Sequence, residues 1–456
     1  MSNQAGATIR EGVRFGLTGA RALAFAAVLV GATAASSGAE EAATPAVRGD
    51  ITVDQAVRLA LERNHDLRSA AENVNLAAGA KKVALQSYLP RLSAAGTLSH
   101  SFNTNSYFDP STNQFITGDR NNWGVRYLLS QNLIDIVSMK NIGAAGKELQ
   151  ASRLTQEFTR SDLVLVTRTQ YYTLLAAQEL EAVSDSALAL SERELQRTNS
   201  LFELGMVAKS DVLKAQVRVS TSKLDGIRDR GNVVDERARL ARLIGQDPTD
   251  ELRASDKLTE TPVVVDSAAV FGEALTRRAD LLAAHESWQA SRSRAGAARA
   301  SFLPYIGAQV SYSNGNPHGL QPFSNFSSRA ATIGVSFPLL DGVVGKKGQI
   351  QQAEARAEQN RYAYERKRLD VEVEVREAIS AARQANEGID VAESGLASAE
   401  EDLKLSQEKY NVGSATILEL IDAQVQLQTA QSNVVKALAA IRVAEAQVNR
   451  VRGHSE

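Results

Sequence analysis

Ala60-Leu61-x-Arg63-x-x-Asp66-Leu67 returns 214 residues later as Ala274-Leu275-x-Arg277-x-x-Asp280-Leu281. The same offset carries Ser87-Tyr88-Leu89-Pro90 onto Ser301-Phe302-Leu303-Pro304. At slightly smaller offsets Leu133-Ile134-Asp135 maps onto Leu339-Leu340-Asp341, and Leu204-Gly205, Ala215-Gln216-Val217 and Gly245 map onto Val412-Gly413, Ala423-Gln424-Val425 and Gly453. Order is kept and gaps are few, so the chain is a tandem duplication of about 200 residues per copy. The first repeat takes residues 40–247, a linker 248–268 with Pro248 and Pro262, and the second repeat 269–456.

Proline divides each copy. None occurs from Ser111 to Asp247, nor after Pro338. Proline removes a helical hydrogen bond and clashes with the preceding turn, so both tracts can be long helices. Helices are expected over Asp66–Leu89, Val137–Leu204, Lys209–Gly245, Asp280–Leu303, Gly342–Lys409 and Ile417–Gly453. A helix of about 68 residues spans about 100 Å. In one tract Val371, Val375, Ala378, Ala382, Ala385, Ile389, Ala392, Leu396, Ala399 and Leu403 alternate spacings of four and three. In another, Leu213, Val217, Ser220, Leu224, Ile227, Gly231, Val234, Ala238 and Ala241 do the same. A repeat of 3.5 residues predicts narrow packing seams and left-handed coiled coils.

Four short segments change period to two. They place Leu92, Ala94, Gly96, Leu98; Trp123, Val125, Tyr127, Leu129; Ile306, Ala308, Val310, Tyr312; and Ile333, Val335, Phe337, Leu339 on one face of each strand. The intervening residues are small or polar. Such a face packs on helices in a water-soluble sheet, or faces lipid in an outer-membrane barrel whose other face is wet. Each repeat thus reads as short helix, two strands, long helix, tight turn, medium helix. Four strands leave two open edges, which hydrocarbon does not tolerate. If they span a membrane, several copies must share one barrel.

Composition narrows the function. Lys plus Arg total 51 and Asp plus Glu 53, so the basic excess of a nucleic-acid binder is absent. No cysteine means no disulfide, thiolate metal site or cysteine nucleophile, and five scattered histidines supply no metal centre. No phosphate-binding, serine-hydrolase, zincin or dinucleotide pattern occurs. Gly345-Lys346-Lys347-Gly348 lacks the first P-loop glycine and a following Ser or Thr. No cofactor, catalytic residue or metal ligand is therefore expected. Residues 1–39 read as an export signal: Arg10, Arg14 and Arg21, an apolar Ala22–Val30, then Ser37-Gly38-Ala39 as the cleavage site, with Ala32-Thr33-Ala34 as a rival.

The paired Ala-Leu-x-Arg phrases, the Tyr/Phe-Leu-Pro junctions, Leu-Ile-Asp and Leu-Leu-Asp strand exits and glycine turns together resemble the TolC family of outer-membrane efflux and secretion channels, over about residues 50–453. The resemblance implies an α+β membrane protein. It would be a homotrimer whose 12-stranded β-barrel, four strands per subunit, continues into a periplasmic α-helical coiled-coil tunnel. It also implies docking to a periplasmic adaptor protein and an inner-membrane transporter in a tripartite efflux or type I secretion system, and contact with outer-membrane lipid. The competing reading is a soluble periplasmic coiled-coil scaffold.

By that resemblance Gly205, Met206, Val207, Gly413, Ser414, Ala415 and Thr416 form the adaptor-contact turns. In their own right the glycines also read as C-caps with positive φ. Asp211 and Tyr410 match polar links that hold the tip helices shut. Glu419 and Asp422, three residues apart and so on one helix face, match an acidic constriction. Thr416-x-x-Glu419 equally fits a capping box. Ala415 departs from the family pattern, which has a basic residue there; Lys209 is a candidate substitute. The missing lipid-bearing cysteine points to the unlipidated branch, and the few Met and His point away from a dedicated copper or silver exporter.

Overall fold

The computed structural model describes residues 49–100, 106–117, 121–316, 327–338 and 342–453. The export signal and Leu339-Leu340-Asp341 lie outside the described residues. The first repeat runs β1 (Gly49–Ile51), α1 (Val53–Arg63), α2 (His65–Gln86), β2 (Arg91–His100), β3 (Ser106–Asp109), β4 (Gln114–Thr117), β5 (Asn121–Ile134), α3 (Ile136–Glu203) and α4 (Lys209–Leu243). After β6 (Leu252–Ala254) the second runs α5 (Ser267–Arg277), α6 (Ala279–Ala300), β7 (Tyr305–Asn316), β8 (Ser327–Ser336), α7 (Val343–Asn411) and α8 (Ile417–Val451).

All six expected helices form. α3 and α7 are 68 and 69 residues long, against 35 each for α4 and α8. α2 and α4 both pack along α3, and α6 and α8 along α7; α3 also packs on α6 and α8, which joins the repeats. Two short helices, α1 and α5, come in addition. The repeated phrase spans their ends: α1 stops at Arg63 and α2 restarts at once, because Asn64 (φ −62°, ψ 131°) leaves helical space and caps the next helix, accepting from Asp66 N–H at 2.8 Å and Leu67 N–H at 3.3 Å. With neither Gly nor Pro at the break, the sequence does not announce it.

The four expected strands make one antiparallel sheet in the order β2-β5-β7-β8, with the two repeats joined between β5 and β7. Within this chain β2 and β8 are its edges. β3 and β4 add a separate hairpin, and β1 pairs in parallel with β6 from the linker. Asp135 turns the end of β5 into α3, accepting from Ser138 N–H (3.1 Å) and Ser138 Oγ–H (2.6 Å). The Tyr88 hydroxyl donates to the Leu133 carbonyl at 2.9 Å and so ties the end of α2 to the same strand exit.

Two apolar cores lie along the helices away from the sheet. One gathers Ile51, Tyr171, Leu174, Leu240, Ile244 and Leu252; the other Val270, Val371, Val375, Ala378, Ile441 and Val448. Tyr171 is fully buried and donates to the Ile51 carbonyl at 2.9 Å. The α7 seam holds: Val371 to Ile389 are buried, and Ala392 to Leu403 half-buried. The α4 seam requires correction. Of the expected row only its end lies inward, Ala238 half-buried and Ala241 buried; Leu213, Val217, Ser220, Leu224, Ile227, Gly231 and Val234 are exposed in the single chain, and the buried row there is Val212, Ala215, Val219, Ser222, Gly226, Val233 and Leu240. α4 carries two parallel stripes. The inward stripe mixes small residues, Ala215, Ser222 and Gly226, with Val212, Val219, Val233 and Leu240, while Leu213, Val217, Leu224, Ile227 and Val234 face outward.

Candidate functional site

The helix turns opposite the sheet hold the residues singled out above. Gly205 (φ +73°) and Gly413 (φ +72°) end α3 and α7 in the left-handed conformation that an L side chain disfavours. The Met206 N–H donates to the Leu201 carbonyl at 2.8 Å, and the Ser414 N–H to the Lys409 carbonyl at 2.9 Å. Both turns thus close in the same Schellman pattern. Leu204, Met206 and Val412 stand 70–79% exposed there, an apolar tip with nothing over it in the single chain. Ser414 and Thr416 are exposed; Val207 and Ala415 are half-buried.

Glu419 forms the capping box: its Oε1 accepts from the Thr416 backbone N–H at 3.4 Å, and its own N–H donates to Thr416 Oγ1 at 3.3 Å. Both Glu419 and Asp422 are exposed, opposite the buried Ile417, Leu420 and Ala423. Capping therefore occupies part of Glu419 and leaves both carboxylates facing outward. Asp211 sits in the first turn of α4 with Lys214 Nζ 3.4 Å from its Oδ1. Lys209, exposed at the start of α4, makes no ion pair among the described residues.

Asp211 and Tyr410 are electrostatic neighbours, but no hydrogen bond joins them. The Tyr410 hydroxyl is buried beside Thr198 and near Glu194 of α3, without a well-formed hydrogen bond among the described residues. Burial raises its pKa, and Arg197 lies 5.7 Å above its ring while also bonding the Asn411 side chain. Glu194 is 5% exposed and its Oε1 has no hydrogen-bond partner among the described residues; burial pushes its carboxyl up, against the pull of Arg197. Arg218, also buried, reaches Gln428 of α8 at 2.8 Å. Near the tip the inward side of α3 is Ser184, Ser191, Glu194 and Thr198, all buried. A polar seam gains little from burial, and leaving polar atoms unpaired costs about 1–3 kcal/mol each. The sequence reading missed Glu194, because a Glu in a charged helix looks solvated; its only signal is the three-and-four spacing from Ser191 to Thr198.

A second polar cluster lies far from the tip. Arg278, 3% exposed, bonds Asp280 through Nη2 at 2.7 Å and Glu374 at 2.6 Å. Lys367 reaches Asp280 at 2.7 Å, and Arg450 bridges Glu374 (2.8 Å) and Asp162 (3.3 Å). Burial alone would raise the Asp280 carboxyl, but Arg278 and Lys367 outweigh it and hold it at about 2. The cluster fastens α3, α6, α7 and α8 at one level. In the first repeat neutral Asn64 stands where Arg278 stands, and bonds the Leu243 carbonyl at 3.0 Å instead.

Known proteins share this architecture. The family model of the outer membrane efflux proteins matches residues 56–246 and 270–454. Nodulation protein T of Rhizobium leguminosarum bv. trifolii is 24% identical over 84% of this chain and 81% of its own. Outer membrane protein TolC of Vibrio cholerae is 26% identical over 68% of this chain and 71% of its own. The Campylobacter jejuni CmeC outer membrane channel superposes with a TM-score of 0.77 at 17% identity, covering 88% of this chain and 85% of that one. With both repeats matched and the same duplicated helix-and-sheet fold, the chain belongs to the outer membrane efflux protein family.

Proposed function

We propose that three copies of this chain form the outer-membrane exit duct of a tripartite efflux or type I secretion system. The supporting observation is the four-stranded sheet. Both its edges, β2 and β8, lack a partner among the described residues, and one face is mostly apolar. Four strands from each of three copies close into a 12-stranded barrel with no edge in the bilayer. α3, α4, α7 and α8 then continue as the wall of a periplasmic tunnel, and the exposed aliphatic stripe of α4 meets the neighbouring copy.

The duct is passive: the energy comes from an inner-membrane transporter reached through a periplasmic adaptor. The turns Gly205-Met206-Val207 and Gly413-Ser414-Ala415-Thr416 are the adaptor contact, supported by the exposed Leu204, Met206 and Val412 beside them. Asp211 and Tyr410 restrain the closed tip, and Glu419 with Asp422 ring its opening with six carboxylates that favour cations. Tyr410→Phe combined with Asp211→Ala raises single-channel conductance in planar bilayers; an unchanged conductance removes both residues from the gate. A soluble scaffold would stay in the supernatant after carbonate extraction, whereas the duct stays with the membrane.

A further inference from the structure

The register of the sheet sorts its residues into two faces. Leu92, Leu98, Trp123, Val125, Tyr127, Leu129, Val310 and Ile333 share the apolar face. On the other, cross-strand rows run Arg91–Ser130–Gln309–Thr332 and Ala95–Arg126–Ser313–Ser328. Each row sets one guanidinium beside hydroxyl or amide groups, and the rows lie about 13 Å apart along the strands. None of the four strands contains an Asp or Glu. Arg91 and Arg126 are exposed and make no ion pair among the described residues. The third arginine of the sheet, Arg329, is on the apolar face, over the Tyr312 ring at 5.7 Å.

We propose that Arg91 and Arg126 make the barrel lumen selective for anionic solutes, cargo bearing carboxylate, phosphate or sulfate groups, which this wall attracts where the acidic tip does not. The inference rests on the duct reading above, since only closure of three sheets turns this face inward. Three copies would then bring six unpaired guanidinium groups around one water column. Fixed charges act across about one screening length, roughly 8–10 Å in physiological salt, and rings of arginine favour anions. The carboxylates at the other end pull the opposite way, so the two filters must be separated to be read.

The test is the reversal potential of reconstituted channels across a potassium chloride gradient, in a Glu419→Gln/Asp422→Asn background that silences the tip. That variant is expected to pass chloride over potassium by roughly threefold. Adding Arg91→Gln and Arg126→Gln brings the ratio to about one, and Arg91→Lys with Arg126→Lys preserves it. Inorganic phosphate should reduce the chloride current in the arginine channel and not in the glutamine one. Equal reversal potentials in all three overturn the inference and leave the duct intact. A preparation that forms oligomers but no channels overturns the duct, and this inference with it.

Discussion

Arg278→Met tests whether the charged cluster at the α6 start fastens the two repeats. Arg278 is 3% exposed and gives three short contacts, two to Asp280 and one to Glu374. The Asp280 carboxyl is held at about 2 instead of its ordinary 3.8. A displacement of nearly two units is worth about 2 kcal/mol. Removing one partner of a buried ion pair costs about 3–5 kcal/mol. Lys367 stays within 2.7 Å of Asp280, so the lower end, about 3 kcal/mol, is expected near neutral pH. The sign follows from the depressed pKa. The stabilisation is fully present above the unfolded-state value of about 3.8 and is lost as pH falls through about 2. In acid the substitution should therefore cost only its packing, about 1 kcal/mol. Guanidinium unfolding of the detergent-solubilised protein, followed by circular dichroism, reads both values. Asn64→Ala at the equivalent junction serves as control. It loses a cap and one buried hydrogen bond, about 1–2 kcal/mol at either pH. If Arg278→Met costs the same in acid as at neutrality, the electrostatic account of the cluster is wrong.

Three further outcomes are expected. The folded state raises the Glu194 carboxyl above its unfolded value of 4.5, so the protonated form favours the folded packing around it. That contribution is present in acid and fades as pH rises through the folded-state value, so amide protection in residues 404–411, taken relative to intrinsic exchange rates, should fall with pH. Glu194→Gln should abolish this dependence, and its persistence would clear Glu194 of the role. Leu224→Asp with Ile227→Asp changes side chains that are 62% and 63% exposed in the single chain; the fold should survive by circular dichroism while the oligomer is lost in detergent sedimentation. Gly245→Ala brings a Cβ within 2.8 Å of Arg63 Cβ at φ +69° and should cost about 2–4 kcal/mol, whereas Gly205→Ala meets nothing within 4 Å and should cost about 1 kcal/mol, both read as unfolding midpoints.

The six expected helices and the four strands of the main sheet were legible because they rest on period and punctuation, whereas α1, α5, β1, β6 and the β3–β4 hairpin were not read. Proline-free tracts, the α7 seam from Val371 to Leu403 and the period-two segments each state their geometry locally. The breaks at Asn64 and Arg278 were not, since a single residue in extended conformation interrupts an otherwise helical pattern without glycine or proline. On α4 hydropathy picked out Leu224 and Ile227, whereas within the chain the buried stripe runs through Ser222 and Gly226 beside Val219 and Val233, and only the neighbouring helix shows which stripe it covers. At the tip, positive φ made Gly205 and Gly413 readable, and Thr416 with Glu419 carried its capping box in its spacing. The surroundings of Tyr410 were hidden, because Glu194 and Thr198 reach it from more than 200 residues away along the chain.

The central claim is that the open edges β2 and β8 of neighbouring copies pair. The chain contains no cysteine, so single cysteines introduced along β2, at Ser93, Ala95 or Thr97, and along β8, at Ala330, Thr332 or Gly334, report on that pairing without background. Oxidation in native outer membranes should convert at least one register of these pairs into a covalent species of three chains and no larger. Chains that remain single in every register, with the cysteines free, would contradict the shared barrel.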